Sequence, residues 1–486
     1  MTSTARLKNF IGGLWCEPAG AEYLPVVNPA TASPLAYVPQ SDAAAVGSAV
    51  EVASRAYREW RRVPPNDRAQ FLYRFKTLLE TNQKQLARTI TDECGKTLAE
   101  ATAEVRRGIE NVEVACGIPT YLQGWNNEDI SPGVDEHLFR QPLGVVAAIT
   151  PFNFPAMIPL WFLPYAIACG NCLILKPSEK VPRTSVRMFE LLEQTGLPAG
   201  VAQLVHGGRA AVDSLIDHPG VSAISFVGST SAARHVYARA AANGKRVQCQ
   251  GGAKNPVVIL PDADMELTSQ IVADSAFGCA GQRCLAASTA IAVGTAGDRF
   301  CAAIAEAASS RRVGYGADPG VQMGPVISSE SRERVERLIG SGGVGGGRIL
   351  VDGRGKTVDG FEDGFFLFPT ILDEVSPTSE IARTEVFGPV LSLIRASDLG
   401  EAIAMVNSAE FGNMASIFTT SGGAARRFRY EVEAGNIGIN IGVAAPMAYF
   451  PFSGAKASFL GDLHAQGRHG VEFYTQTKVV VERWPV

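Results

Sequence analysis

From Arg140 to Lys176 the chain carries no charged residue between those two, and Met157 to Leu175 is apolar over a length that resembles a membrane span. Pro151, Pro155, Pro159 and Pro164, with Asn153 and Asn171, interrupt the run. A buried helix between two buried strands accounts for the same pattern, because strands of a parallel sheet covered on both faces read as near-continuous apolar segments. The spacing therefore predicts a strand at Val145 to Ile149, a helix at Ala156 to Ala168 and a strand at Leu173 to Leu175. Strand and helix patterns keep alternating downstream: helices at about Thr184 to Thr195 and Ala210 to Asp217 around a strand at Ala202 to Val205, then a strand at Ala223 to Val227 and a helix to about Ala242. Such alternation implies a doubly wound parallel sheet.

A second alternating region begins at Pro256 to Leu260 and continues through strands near 290, 349, 391, 416 and 438, so two α/β domains are expected. Upstream, residues 8 to 40 hold short strand-like runs, Ser41-Asp42 can cap a first helix, and a second follows Pro64-Pro65-Asn66-Asp67 with Phe71, Leu72, Phe75, Leu78 and Leu79 on one face. A third helical pattern, Leu98 to Cys116, carries Arg106 and Arg107, and Asp135 to Gln141 alternates as a strand. The glycine run from Gly342 to Gly347 lacks the Lys-Ser/Thr ending and the preceding strand of a phosphate loop, and reads as a flexible surface loop.

Composition narrows the class. A chain of 486 residues with 46% hydrophobic positions is an ordinary globular sequence of two or three domains, and a net charge of −4 argues against nucleic-acid or anionic-membrane partners. Nine scattered cysteines make no disulfide framework and fit a reducing, cytoplasmic setting, and the N-terminus lacks the apolar core of a secretion signal. Cys169 and Cys172 form a C-x-x-C without a second pair or a histidine cluster, so no metal site is expected.

The chemistry centres on Gly281-Gln282-Arg283-Cys284. A cysteine nucleophile acts as its thiolate, favoured by a nearby cation, and Arg283 is the adjacent cation in sequence. Three strand ends carry polar residues where open α/β sheets bind ligands. Lys176 and Glu179 follow one strand, and a glutamate there accepts hydrogen bonds from ribose hydroxyls and repels a ribose phosphate, favouring NAD over NADP. Gly228-Ser229 opens a helix whose N–H groups can hold a pyrophosphate.

Five segments in order, Thr150-Pro151-Phe152-Asn153-Phe154-Pro155, Leu175-Lys176-Pro177-Ser178-Glu179, Phe226-Val227-Gly228-Ser229-Thr230, Gly281-Gln282-Arg283-Cys284 and Glu385-Val386-Phe387-Gly388-Pro389, resemble the NAD(P)-dependent aldehyde dehydrogenase superfamily over nearly the whole chain. Gly252-Ala253-Lys254-Asn255 and the tail from Ala445 to Gly454 and through Phe473-Tyr474-Thr475 are most similar to its CoA-acylating methylmalonate/malonate-semialdehyde dehydrogenases. The resemblance implies an NAD-binding domain (1–119 and 143–250), a catalytic domain (251–455) and a small β oligomerisation element (120–142 and 470–486) that forms homodimers or homotetramers. It implies that Cys284 attacks the aldehyde, that the Asn153 amide and the Cys284 N–H hold the oxyanion, and that the thiohemiacetal gives hydride to NAD and becomes a thioester. Thr150, Phe152, Lys176, Glu179, Lys180, Gly228, Ser229, Glu385 and Phe387 are then the cofactor contacts, and Arg107 and Arg283 clamp the carboxylate of a small acidic semialdehyde.

Hydrolytic relatives carry a glutamate where this chain has Gln250. An amide cannot act as that base, and loss of a general base costs ~10² to 10⁴-fold, so coenzyme A is the expected acyl acceptor, with acetyl-CoA or propionyl-CoA as product after loss of carbon dioxide. Pro256 departs from the family's usual histidine and matches many hydrolytic relatives. Two alternatives stay open: a CoA-independent NAD-linked enzyme that makes a free acid, and a catalytically silent binding protein on the same fold. NADH turnover without CoA discriminates the first and alkylation of Cys284 the second.

Overall fold

In the computed structural model, which describes residues 5–484, the uncharged run folds as strand, helix, strand: Val145–Ile149, Met157–Ala168 and Cys172–Lys176. Every residue of both strands is buried, as is every helix residue after Met157. This is the covered parallel sheet that the hydropathy predicts. No helix among the described residues is long and apolar enough to cross a membrane. The domain ranges expected to begin at residue 1 and end at 486 extend beyond the described residues at positions 1–4 and 485–486.

The first sheet has eight strands, and its order explains the site. From Val145–Ile149 the chain steps outward to Cys172–Lys176 and Ala202–Leu204, then returns to the other side of Val145–Ile149 as Val221–Val227 and Arg246–Gln250. These five are parallel, with Ile149 beside both Lys176 and Phe226, and Val227 beside Gln250. The order therefore reverses between Val145–Ile149 and Val221–Val227, where open α/β sheets have a crevice at their carboxyl ends. Antiparallel edge strands close the sheet at Asn9–Ile11, Leu14–Cys16 and Phe459–Leu460.

The second sheet has seven strands in the spatial order Arg348–Val351, Thr370–Asp373, Val390–Ala396, Ala287–Val293, Asn255–Ile259, Met414–Phe418 and Asn436–Ile439, parallel apart from the first. Cys284 precedes Ala287–Val293, at the amino end of this sheet. A third, antiparallel sheet joins Trp125–Ser131, Val134–Pro142 and Thr475–Arg483 and leaves Trp125, Phe139, Val479 and Val481 exposed.

Asp42 caps the helix Ala43–Trp60, and the next helix starts at Pro65, whose missing N–H is no loss at that position. Three features depart from the sequence reading. A separate helix, Gln83–Cys94, follows Pro65–Thr81 across Asn82, with no glycine or proline between them to mark the break. The strand Thr370–Asp373 is only four residues long, too short for alternation to show. The glycine run is not one flexible loop: Gly342, Gly343 and Val344 end the helix Ser329–Val344. A Cβ on Gly342 would lie 2.6 Å from Leu372 Cδ2, so that glycine permits close helix–sheet packing.

Candidate active site

A cleft of about 610 Å³ opens at the crevice of the first sheet and reaches the loop carrying Cys284. Thr150, Phe152 and Asn153 enter it from the end of Val145–Ile149, Lys176 and Glu179 from Cys172–Lys176, and Gly228 and Ser229 from Val221–Val227. Glu385 and Phe387 close it from the segment before Val390–Ala396, with the rings of Phe152 and Phe387 edge to face at 5.8 Å. Of the predicted cofactor contacts, Lys180 lies outside the cleft lining: its Nζ donates to Ser328 Oγ at 3.4 Å and stands 5.9 Å from the Phe152 ring centre.

The cofactor half suits a dinucleotide by its donors and acceptors. Ser229 stands at the N-cap of Thr230–Ala242, and first-turn N–H groups have no intrahelical acceptor and favour a phosphate. Glu179 stays within 3.5 Å of Lys176 Nζ, and burial pulls that ammonium below its usual pKa while Glu179 opposes the shift. Gly208, at the N-cap of the helix Arg209–Asp217, Arg209 and Val212, within that helix, and Arg334, from the helix Ser329–Val344, also line the cleft. The sequence reading did not single these out. The Ala202–Leu204 strand followed by a helix was the available signal for Arg209; nothing local marks Arg334, which holds the Val386 carbonyl at 2.7 Å from across the fold.

Cys284 is pinned through its own carbonyl, which accepts from Asn255 Nδ2 at 2.8 Å and Asn413 Nδ2 at 2.7 Å. Asn255 also donates to the Ala286 carbonyl and accepts from Met414 N–H, which explains an asparagine after Gly252-Ala253-Lys254. Asn153 Nδ2 donates to the Gln282 carbonyl at 3.0 Å. That contact sets the amide beside the Cys284 loop and leaves its second N–H for an oxyanion.

Charge around Cys284 differs from the sequence expectation. Burial pushes its thiol up to about 12, the Glu385 carboxylate adds to the rise, and the Cys284 N–H, Lys96 and the Leu285 N–H pull the other way. Arg283 turns aside: its Nε donates to Cys279 Sγ at 3.2 Å and its Nη2 meets Glu100 Oε1 at 3.3 Å. Sequence adjacency is therefore a poor guide to which thiol Arg283 stabilises, because neighbouring side chains in a turn diverge. Arg107 is likewise engaged, by Glu110 at 2.6 Å and by the Pro446 carbonyl. Neither arginine lines the cleft.

Gln250 ends the strand beside Val227, buried, its carbonyl accepting from Gly228 N–H and its Nε2 without a hydrogen-bond partner among the described residues. Glu385 accepts from Ala253 N–H at 2.8 Å, and burial raises its carboxyl pKa. Lys254 is buried, its Nζ has no hydrogen-bond partner among the described residues, and burial lowers its pKa to about 7. Cys169 and Cys172 are buried and unbridged, with thiols pushed up to about 12 by burial.

A thiol at the inner end of a dinucleotide crevice defines a class of enzyme that captures a carbonyl carbon on sulfur within reach of a hydride acceptor. The chain belongs to the aldehyde dehydrogenase family, whose model matches residues 15–480. It is 48% identical to malonate-semialdehyde dehydrogenase 2 of Geobacillus thermodenitrificans (strain NG80-2), over 99% of this chain and 100% of that one. Its fold matches the methylmalonate-semialdehyde dehydrogenase of Oceanimonas doudoroffii with a TM-score of 0.98 at 42% identity, covering 99% of each chain. A Sinorhizobium meliloti 1021 protein solved with NAD, and provisionally described as a methylmalonate-semialdehyde dehydrogenase, also matches at 0.98, with 40% identity over 100% of this chain and 99% of that one.

Proposed function

We propose that the chain oxidises malonate semialdehyde or methylmalonate semialdehyde with NAD through a Cys284 thioester, transfers the acyl group to coenzyme A, and releases acetyl-CoA or propionyl-CoA with loss of carbon dioxide. The names and high coverage of the relatives support the substrate and the cofactor. The observation that carries the choice of acyl acceptor is Gln250, a buried neutral amide whose backbone carbonyl accepts from Gly228 N–H and which immediately precedes Gly251 of the cleft lining. NAD, when bound, supplies the hydride acceptor.

The residues present fit that cofactor. Glu179 offers a ribose acceptor, the N-terminus of Thr230–Ala242 offers phosphate donors, and Phe152 and Phe387 wall the inner end. Cys284 gives its thiol proton to solvent, the thiolate adds to the aldehyde carbon, and Asn153 Nδ2 with the Cys284 N–H holds the oxygen that becomes negative. Hydride leaves the same carbon as the C–O double bond re-forms, leaving the acyl group on Cys284 sulfur. The distal carboxylate then leaves as carbon dioxide and the carbon it was bonded to takes a proton from water, after which the thiol of coenzyme A gives its proton to solvent, attacks the thioester carbonyl and returns Cys284 as the leaving thiolate. Arg107 and Arg283 hold the distal carboxylate, exchanging Glu110 and Glu100 for it; bidentate guanidinium–carboxylate geometry suits that exchange.

The three-stranded sheet of Trp125–Ser131, Val134–Pro142 and Thr475–Arg483 is the oligomerisation element of this reading, its exposed apolar positions covered in a homodimer or homotetramer, and the setting is cytoplasmic. The two larger sheets are then the NAD-binding and catalytic domains. Steady-state NADH formation from malonate semialdehyde, with and without coenzyme A and with products identified by mass, tests the function. Sustained turnover to acetyl-CoA only when coenzyme A is present is expected. Equal turnover without it, giving a free acid, would move the chain to the hydrolytic branch that Pro256 matches.

A further inference from the structure

The helix Leu98–Cys116 presents Glu100, Glu104, Arg107 and Gly108 at spacings of four, seven and eight residues, which places them along one face. Glu100 Oε1 accepts from Cys279 N–H at 2.6 Å and from Arg283 Nη2 at 3.3 Å, while Oε2 accepts from Thr97 N–H in a capping box that fixes the carboxylate. Cys279 and Ala280 hold left-handed backbone, with φ of 51° and 53°, a region disfavoured for residues bearing Cβ. The Glu100 bond therefore fastens the strained turn that delivers Cys284.

One turn further on, Glu104 Oε1 accepts from Ala156 N–H at 2.8 Å and Met157 N–H at 3.2 Å, the start of the helix that follows the Asn153 loop. Its Oε2 pairs with buried Lys96 Nζ at 2.6 Å. At Gly108 a Cβ would lie 2.8 Å from Leu160 Cδ1, so the two helices pack in close contact a turn beyond Glu104.

We infer that Glu100 and Glu104 are positioning residues: one helix face holds the Cys284 loop by Glu100 and the Asn153 loop by Glu104, and so sets the nucleophile against the oxyanion donor. This rests on the reading of Cys284 and Asn153 as the reacting pair, and it is independent of the semialdehyde and of coenzyme A.

Single-turnover NADH formation with NAD and propanal, an aldehyde without a carboxylate, separates alignment from folding. The burst amplitude counts reactive sites and the rate constant reports geometry. Misplacement by ~1 Å can cost ~10²-fold, so Glu100→Ala is expected to slow the burst about 30-fold. Glu100→Gln, whose amide oxygen still accepts from Cys279 N–H, is expected to slow it about 5-fold, and Glu104→Gln about 10-fold by the same reasoning. Without cofactor, mass mapping of iodoacetamide adducts should show buried Cys279 opened at least about tenfold in Glu100→Ala and closed in Glu104→Gln, because only Glu100 binds that turn.

Rate constants within about twofold of the unmodified protein across all three variants, whatever their amplitudes, would overturn the inference. If Glu100→Ala fails to fold, the Gln variants carry the test alone. A missing burst in the unmodified protein, with every aldehyde tried, would instead overturn the reading of Cys284 on which the inference stands.

Discussion

The two halves of the cleft were built by different rules. At one end, Thr150 and Gly228 follow the last residues of parallel strands and Lys176 is the last residue of one, and strand register alone brings Ile149, Lys176 and Phe226 side by side. At the Cys284 end, Cys284 and, outside the cleft lining, Arg283 and Arg107 sit on a turn and a helix, where tertiary partners set the direction of each side chain. Arg283 follows Glu100 and Cys279 instead of its neighbour Cys284, and Arg107 follows Glu110. Backbone geometry suffices to place a residue at a strand end. A charged side chain in a loop goes where its counter-ion is.

The largest expected effect sharpens the contrast at the strand end Gln250. Gln250→Glu restores a carboxylate beside the cleft, and CoA-independent release of free acid should rise by about 10²-fold or more, within the ~10² to 10⁴-fold worth of a general base, in steady-state NADH assays without coenzyme A. Asn153→Ala removes the donor side chain set beside the Cys284 loop, and the single-turnover rate should fall ~10² to 10³-fold with cofactor affinity unchanged.

Arg283→Ala removes a residue that hydrogen bonds a charged group at ~1.5 to 3 kcal/mol, so the semialdehyde KM should rise about 10- to 100-fold while the KM for propanal stays put. An unchanged semialdehyde KM would mean that Glu100 keeps Arg283 from the substrate, and the two halves would differ more than proposed.

Smaller shifts probe charge. Burial and the Glu385 carboxylate hold the Cys284 thiol neutral, so its alkylation in the free enzyme should climb with pH up to pH 10 without a plateau, and Glu385→Gln should make it several-fold faster at pH 8. A plateau near pH 7 would show that another group stabilises the thiolate.

Lys254 acts on stability alone. Its pKa falls from 10.5 to about 7 in the fold, so the unfolded chain holds more protons between those values. The burial penalty is therefore full below pH 7 and is relieved as pH rises toward 10.5. Denaturation of the unmodified protein should show a stability rise with pH across that window, of at most about 1.4 kcal/mol per pH unit, that Lys254→Met abolishes.

Much of the architecture was legible because burial wrote it plainly. The strand Val145–Ile149 is predicted to the residue, since all five positions are apolar and a glycine and a threonine bound it. The helix Leu98–Cys116 is also predicted end to end, and its Thr97–Glu100 capping box marks the start. Gln83–Cys94 was hidden by continuity with the helix before it, and Gly342 was misread because its role lies in contact with Leu372, thirty positions away. In the site, motif spacing located Cys284, Asn153 and Glu385 in one cleft, but not Arg334, Asn413 or the partners that turn Arg283 aside. Those depend on segments that meet only in the folded chain.

The most direct test is the intact mass of the protein after mixing with NAD and malonate semialdehyde in the absence of coenzyme A. An acyl adduct that maps to Cys284, persists, and discharges within the mixing time when coenzyme A is added is the predicted result. Rapid release of free acid without an adduct would contradict the account, because water would then be reaching the thioester without a base at position 250.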